Sequence, residues 1–254
     1  MNSAHDSVSF PAFSVITVCF NAMGGLNQTV ASLRQQTAIA AVEWVVIDGA
    51  STDGSAEWLA AQQPDVFVSE PDRGIYDAMN KAIGRASGQW LFFLNAGDTF
   101  ADAHVLRDVQ AAIAAQPGAD IVYGDVVYFG QQGDRRHRFH WLTRRRLLFG
   151  DLCHQAAFSS RALFAAHGQF DTSLRWNADF DWFIRAFRGG ARLQYLQRDI
   201  ARFHDAGAHV QAAERCAAER QAVRTRYTPL WRWQLGNWAL RAELKLRRLA
   251  GQET

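Results

Sequence analysis

Cysteine is scarce in this chain. Cys19, Cys153 and Cys216 are an odd number without metal-ligand spacing, which argues against a disulfide framework and suits a reducing compartment. No uninterrupted run of about 18 apolar residues occurs, so no membrane-spanning helix is expected. The opening MNSAHDSVSFPAF lacks a basic stretch followed by an apolar one, the pattern of an export signal. A formal net charge of only +2 leaves no global field of the kind that gathers nucleic acid, and no nucleic-acid partner is expected. Internal repeats and low-complexity tracts are missing, which excludes solenoids. The loop FNAMGGLN after the first apolar run lacks G-x-G-x-x-G, which weighs against a dinucleotide-dependent oxidoreductase.

Hydrophobic residues are plentiful, 48% of 254, enough for one large α/β domain with a small appendage. The β-branched run Phe13 to Phe20 predicts a strand, and the spacing of Leu26, Val30 and Leu33 predicts a helix over Met23 to Gln36. Glu43 to Ile47, a turn-rich DGASTDG and a helix from Ser55 repeat the unit. Strands at Val66 to Ser69 and Trp90 to Leu94 enclose a helix over Ile75 to Arg85. A helix near Ala103 to Ala115 and a strand region Asp120 to Phe129 follow, then a polar loop, QQGDRRHRF, where the alternation becomes irregular. Strands alternating with helices imply a parallel, doubly wound sheet with its ligand crevice at the carboxyl ends of the strands.

Each of those strand ends carries small or acidic residues: Asn21, Asp48 to Asp53, Glu70 to Asp72 and Asn95 to Asp98. One loop acid is usually a turn residue or a helix cap. Four at successive strand ends describe a cleft that can hydrogen-bond a ribose and base and hold a metal through carboxylate oxygen.

The segments SVITVCFNA, VVIDGASTDGS, SEPDRGIYDAMNKAIGRASG and FLNAGD also stand in the order and approximate spacing of a known family. Over roughly residues 13–205 the chain resembles the inverting family 2 glycosyltransferases, and within them capsule and exopolysaccharide enzymes such as the colanic-acid-type transferases. The resemblance implies an α/β GT-A fold, Rossmann-like, with a mostly parallel sheet flanked by helices and a C-terminal helical tail. It divides the chain into an extension (1–12), a nucleotide-sugar-binding half (13–125), an acceptor-side half of the same catalytic domain (126–223) and a basic, Trp-rich tail (224–254).

By the same resemblance Thr17, Phe20 and Asn21 line the nucleotide pocket and Asp48 reads the base edge. An ionised carboxylate only accepts hydrogen bonds, which matches a uracil imide N–H and favours a UDP-sugar donor. Ser51 and Asp53 support that loop or, equally, cap the next helix. Asp72 is expected near the ribose; Arg73, Gly74 and Tyr76 open a helix on which Asp77, Asn80 and Lys81 project toward the cleft. The i, i+4 spacing of Asp77 and Lys81 also fits a surface pair. Asn95, Ala96 and Gly97 are expected on the donor, with Asp98 as metal ligand. The family often has Asp-x-Asp or Asp-Asp there, whereas NAGD offers one carboxylate; with substrate phosphate oxygens and water, one suffices for Mn²⁺ or Mg²⁺.

HQAAF and GQFDTSLRWNADFDWFIRAF extend the resemblance, and Asp179 matches the family's catalytic base. It would take the acceptor hydroxyl's proton as the oxygen attacks the anomeric carbon, while Asp98 and its metal neutralise the departing diphosphate, inverting the configuration. Asp181 points elsewhere on a helix and is read as orienting or structural. His154 is expected on the acceptor or diphosphate, or else as a satisfied core histidine. His204 is expected to reach the metal or diphosphate, with His209 ranked below it.

Between Arg224 and Arg248 stand seven basic residues (Arg224, Arg226, Arg232, Arg241, Lys245, Arg247 and Arg248), one acid, Glu243, and Trp231, Trp233 and Trp238. Trp231, Leu235, Trp238, Ala242, Leu246 and Leu249 form one helical stripe flanked by charge, which suits an anionic membrane interface. A helix packed on the domain, or an oligomer contact, is the alternative. Arg144 to Arg146 either extend that surface or form a solvated loop. The reading is therefore a cytoplasmic enzyme, peripheral at the inner face of the membrane, with a saccharide or lipid-linked acceptor. The single carboxylate of NAGD keeps open a non-catalytic nucleotide-sugar-binding or membrane-scaffolding protein. A sugar nucleotidyltransferase should show a Gly-rich, Arg-containing loop that Asn21 to Asn27 is not.

Overall fold

The computed structural model describes residues 12–130, 133–142, 152–204 and 212–229, together with Leu235, Gly236, Trp238, Ala239, Ala242 and Lys245. The first half alternates as expected: β1 (Phe13–Cys19), α1 (Met23–Arg34), β2 (Val42–Asp48), α2 (Ser55–Ala61), β3 (Val66–Ser69), α3 (Ile75–Arg85) and β4 (Trp90–Phe93). β1 pairs in parallel with β2, from Phe13 opposite Val42 to Cys19 opposite Asp48, and with β4 on its other side. Every residue of β1 is buried. Phe13, Val15 and Cys19 pack with α1 and α2, whereas Ile16 and Val18 pack with α3. Helices on both faces explain why this strand reads as an unbroken apolar run rather than an alternation.

The second half contains β5 (Thr99–Phe100), α4 (Val105–Ala115), β6 (Ile121–Phe129), β7 (Arg135–His137), β8 (Ala157–Ser160), α5 (Arg161–His167), α6 (Ala178–Arg188), β9 (Leu193–His204) and α7 (Ala213–Tyr227). Among the described residues nine strands form one sheet in the order β3-β2-β1-β4-β8-β6-β9-β5, with β7 beside β6. The first four of that order are parallel; β8 runs antiparallel to both β4 and β6. β7 lies inside the stretch expected to be a polar loop, pairing His137 with Val126. A three-residue strand takes its register from its partner's backbone and needs no apolar pattern of its own.

α7 continues through the expected tail boundary at residue 224, and its Tyr227 hydroxyl donates to Asp181 on α6. Its last turn therefore packs on the α/β body. No helix among the described residues is long and apolar enough to cross a membrane.

The loops leaving β1, β2, β3 and β4 open on one edge. Gly49 N–H donates to the Cys19 carbonyl (2.8 Å), Glu70 N–H to that of Asp48 (3.0 Å) and Ala96 N–H to that of Val18 (3.2 Å). The crevice lies where a doubly wound sheet puts it.

Candidate active site

The loop after β1 is locked to the loop after β2. Asn21 has φ 48°, a left-handed conformation that asparagine tolerates better than most residues. Its N–H donates to Ser51 Oγ (2.8 Å), and its Oδ1 accepts from Thr52 N–H (2.8 Å). Asp53 accepts from Met23 N–H (3.1 Å) and Ser55 N–H (3.0 Å), tying the loop to the starts of α1 and α2. Phe20 stays 63% exposed at the strand end. A Cβ on Gly49 would stand 2.4 Å from Asp72 Oδ2 and 3.3 Å from the Phe20 ring, so Phe20, Gly49 and Asp72 converge on one closely packed floor.

Two residues expected on this pocket lie behind it. Asp48 is 0% exposed, and its carboxylate accepts from Ser51 N–H (2.9 Å), Ser51 Oγ–H and Ser69 Oγ–H (2.7 Å). The expectation that it faces a base edge gives way to one in which it organises the loop. Thr17 is equally buried, its hydroxyl accepting from the Trp44 indole (3.1 Å), because its position on β1 points it into the core.

Asp72 Oδ1 accepts from Gly74 N–H (2.8 Å), and Gly74, at φ 123°, opens α3. Tyr76, in the first turn, is buried with its hydroxyl 2.9 Å from Asp179 Oδ1 and 3.0 Å from the Trp176 carbonyl. Burial, then the Asp179 charge, pushes the Tyr76 phenol well above its usual range. Asn80 and Lys81 do not project into the cleft. Asn80 grips the Phe170 backbone through both ends of its amide (2.9 and 3.0 Å), and Lys81 reaches the Pro71 carbonyl (2.7 Å) and Glu70 (3.0 Å). Asp77 pairs with Arg73 (2.9 Å) and, as the i, i+4 surface alternative had it, with Lys81 (3.8 Å).

The NAGD turn meets α6 through His154. Its Nδ1 lies 2.9 Å from Asp179 Oδ2 and its Nε2 lies 2.9 Å from Asn95 Nδ2. An ionised carboxylate can only accept, so Nδ1 carries the proton and Nε2 accepts from Asn95. Asp179 is 8% exposed in the first turn of α6 and also accepts from Phe180 N–H (2.8 Å). Burial pushes its carboxyl up, but the His154, Tyr76 and Phe180 hydrogen bonds outweigh it and hold the group below the usual carboxylate range. Asp181 turns away to Arg185 (2.9 Å) and Tyr227 (2.8 Å).

Asp98 lies in the same turn. Gly97 adopts φ 94°, its N–H donates to Thr29 Oγ1 (2.9 Å), and its Cα sits 2.7 Å from where a Cβ of Gly25 would be, so the turn rests on α1. Asp98 Oδ2 and Asn95 Oδ1 are buried without a hydrogen-bond partner. Burial pushes the Asp98 carboxyl up to about 7 against the pull of His154, Gln155 and the Asn95 backbone. Two orphaned oxygens from neighbouring side chains are the hard donor set that Mn²⁺ or Mg²⁺ prefers, and a cation would relieve the cost of burying them. Among the described residues no three His, Cys, Asp or Glu side chains assemble as a cage, so the remaining ligands would come from substrate phosphate and water. His204 ends β9 beyond the Arg202 to Thr99 pair, hence on the Asp98 side of β5, exposed with its ring edge-on to Phe129. His209 and Arg144 to Arg146 lie outside the described residues.

Beside Asp179 opens a cavity of about 330 Å³, walled by Tyr76, Asn95, Tyr128, His154, Arg175, Trp176, Phe203 and Arg220. Glu219 on α7 shapes its floor, accepting from the N–H groups of Arg175 (2.7 Å), Trp176 (2.9 Å) and Asn177 (2.8 Å). Asn177 is fully buried between α6 and α7, donating to the Cys216 carbonyl (3.0 Å) and accepting from Arg220 Nε (2.9 Å). Sequence reasoning did not find Arg175, Asn177, Glu219 or Arg220. Arg175 to Asn177 lie inside a quoted segment without a periodic signal, and Glu219 sits on a polar helix 40 residues downstream of Asp179.

Residues 14–168 match the domain family Glycosyl transferase family 2. A PGL/p-HBAD biosynthesis glycosyltransferase of Mycobacterium bovis (strain BCG / Pasteur 1173P2) is 34% identical over 207 residues, covering 78% of each chain. Among solved structures, S. aureus TarS 1-349 in complex with UDP-GlcNAc superposes with TM-score 0.71 at 19% identity, over 86% of this chain and 67% of that one. The mannosyltransferase PcManGT from Pyrobaculum calidifontis, in complex with GDP-Man and Mn²⁺, gives TM-score 0.68 at 19% identity, over 97% of this chain and 77% of that one. The chain spans 64% of the length of TarS 1-349 in its UDP complex. At these identities the structures show a shared fold.

Proposed function

We propose that this chain, which belongs to Glycosyl transferase family 2, moves a sugar from a nucleotide-diphosphate donor to an acceptor hydroxyl with inversion, a UDP-sugar being the favoured donor. One observation carries the proposal: His154 joins the turn that holds Asn95 and Asp98 to the carboxylate of Asp179 in one hydrogen-bonded chain at the cavity wall. Nucleotide would lie against Phe20 and Asp72 at the β1 and β3 ends, with Asp48, Ser51 and Asp53 holding the loop beneath it. The diphosphate would lie at Asn95 to Asp98, and His204 is proposed to reach it from β9. A dication held by Asp98 and Asn95 would supply positive charge at the leaving oxygen.

Asp179 is the proposed base. Its Oδ1 already accepts from Tyr76 and Phe180 N–H and its Oδ2 from His154 Nδ1–H and His154 N–H, filling the four lone-pair sites, so one must be released for the incoming hydroxyl. Tyr76 provides that release. Its hydroxyl can donate instead to the Trp176 carbonyl at 3.0 Å, leaving Asp179 Oδ1 open to the cavity. The acceptor oxygen then bonds to the anomeric carbon, its proton passes to Asp179, and the bond to the diphosphate breaks. His154 orients the carboxylate throughout.

Leu235 and Trp238 are 60% and 72% exposed, which supports a tail that lies on an anionic membrane carrying a lipid-linked saccharide acceptor of surface or exopolysaccharide synthesis. Most of that tail, including Trp231 and Trp233, lies outside the described residues. The test is calorimetric titration with UDP and GDP, each with and without Mn²⁺, on wild type and Asp179→Asn. Metal-enhanced binding of one nucleotide in both proteins, with turnover abolished only in Asp179→Asn, supports the reading. Absence of nucleotide binding, or turnover surviving the substitution, refutes it.

A further inference from the structure

The cavity beside Asp179 has a charge pattern that a neutral sugar does not require. Arg175 and Arg220 both line it, from the approach to α6 and from α7. Among the described residues the carboxylate in the wall is Asp179, which is engaged by His154, Tyr76 and Phe180. Arg175 makes no side-chain hydrogen bond or ion pair among the described residues, and its guanidinium hangs over the start of α3, 3.4 Å from where a Gly74 Cβ would be. Arg220 is aimed by its Nε donation to Asn177 (2.9 Å) and by the Phe180 ring beneath it (5.7 Å to the centroid). Glu219 fixes the backbone from which Arg175 projects, and Arg220, the next residue on the same helix, is aimed through its own side chain.

We infer that Arg175, with Arg220 on the same wall, anchors an oxyanion site within the acceptor cavity, so that the acceptor is a saccharide carrying a phosphoryl group. This rests on the acceptor reading of the cavity proposed above. Guanidinium forks match phosphate oxygens bidentately, which a sugar hydroxyl does not exploit. Tyr128, Trp176 and Phe203 supply aromatic surface for the sugar ring in the same cavity. The volume of about 330 Å³ lies at the small end for ligand pockets, in keeping with one ring and its phosphoryl group. Of the proposed donor turn only Asn95 reaches this cavity and Asp98 does not, so loading the protein with UDP separates the acceptor's phosphoryl position from the donor's.

The experiment is calorimetric titration of the full chain, saturated with UDP and Mg²⁺, with glucose 1-phosphate as probe and glucose as its neutral counterpart. Glucose 1-phosphate is expected to bind to the UDP-loaded protein and to bind more tightly than glucose. Arg175→Ala should weaken it about tenfold or more, Arg175→Lys less, while UDP affinity and the unfolding midpoint stay unchanged. The inference is overturned by displacement of UDP by the sugar phosphate, by loss of UDP affinity in Arg175→Ala, by equal binding of the two probes, or by no binding of glucose 1-phosphate. Failure of UDP itself to bind wild type would instead sink the donor-site reading, a separate outcome in the same titration.

Discussion

Replacing Glu219 by alanine should loosen the floor of the active site more than a change on a polar helix ordinarily does. The carboxylate accepts from three consecutive backbone N–H groups, those of Arg175, Trp176 and Asn177, and from Asn177 Nδ2 at 3.1 Å. Arg175 N–H can turn to water after the substitution, and Asn177 Nδ2 keeps the Cys216 carbonyl at 3.0 Å. Trp176 is half-buried and Asn177 fully buried, and the amides of both lose their partner outright. At about 1 to 2 kcal/mol for each, Glu219→Ala should cost about 3 kcal/mol of unfolding free energy. Glu219→Gln keeps one carbonyl oxygen for those two amides and should cost about 1 kcal/mol. Urea unfolding measures this as a lower midpoint at unchanged slope. UDP affinity should hold while turnover falls, since α7 fixes the segment that carries Asp179 and not the β1 or β3 loops. A loss under about 0.5 kcal/mol for the alanine variant, the level of an ordinary surface substitution, would refute the clamp.

Three further outcomes are expected. The folded state binds more protons at Asp98 than the unfolded chain between the ordinary aspartate range and about 7, so its contribution to stability is present at low pH and lost as pH rises through about 7. In EDTA, Asp98→Asn should therefore gain stability relative to wild type between pH 5 and pH 8 in urea unfolding; an equal difference at both pH values would refute the assignment. Gly25→Ala would drive a Cβ to 2.7 Å from Gly97 Cα and should cost about 1 to 3 kcal/mol while weakening metal-dependent nucleotide binding. Gly24→Ala, which meets nothing within 4 Å, is the control in the same thermal and calorimetric assays. Removing residues 230–254, beyond α7, should lessen binding to anionic vesicles in a co-sedimentation assay, and undiminished binding by a folded truncated chain would count against the membrane-tail reading.

What the sequence revealed and what it hid divide along contact distance. The β1, β2 and β4 runs announced themselves because burial on both faces leaves no room for polar residues. The convergence of Asn21, Asp48, Asp72 and Asn95 followed from parallel connectivity alone. Helical spacing told which residues of α3 share a face, but not what covers that face. Asn80 therefore looked available, although the Phe170 backbone, 90 residues away, occupies its amide. Asp48 misled in the opposite sense, because a carboxylate at a strand end looks like a ligand until Ser51 and Ser69 are seen to take its oxygens. Glu219 left no local trace. Its role exists only when α7 lies against the start of α6.

His154 imposes a rule on the turn beyond it. With Nδ1–H committed to Asp179, Nε2 is a lone pair, and Asn95 must present its NH₂, so its carbonyl oxygen points away and stays unpaired. Were the ring to gain a second proton, the same two atoms would confront each other as donors. The cheapest repair is a half-turn of the Asn95 amide, which puts an NH₂ where the unpaired carbonyl oxygen now stands. Charge state at the His154 ring would thus be transcribed into the polarity of a single amide in the NAGD turn, like a bit passed along a two-residue wire.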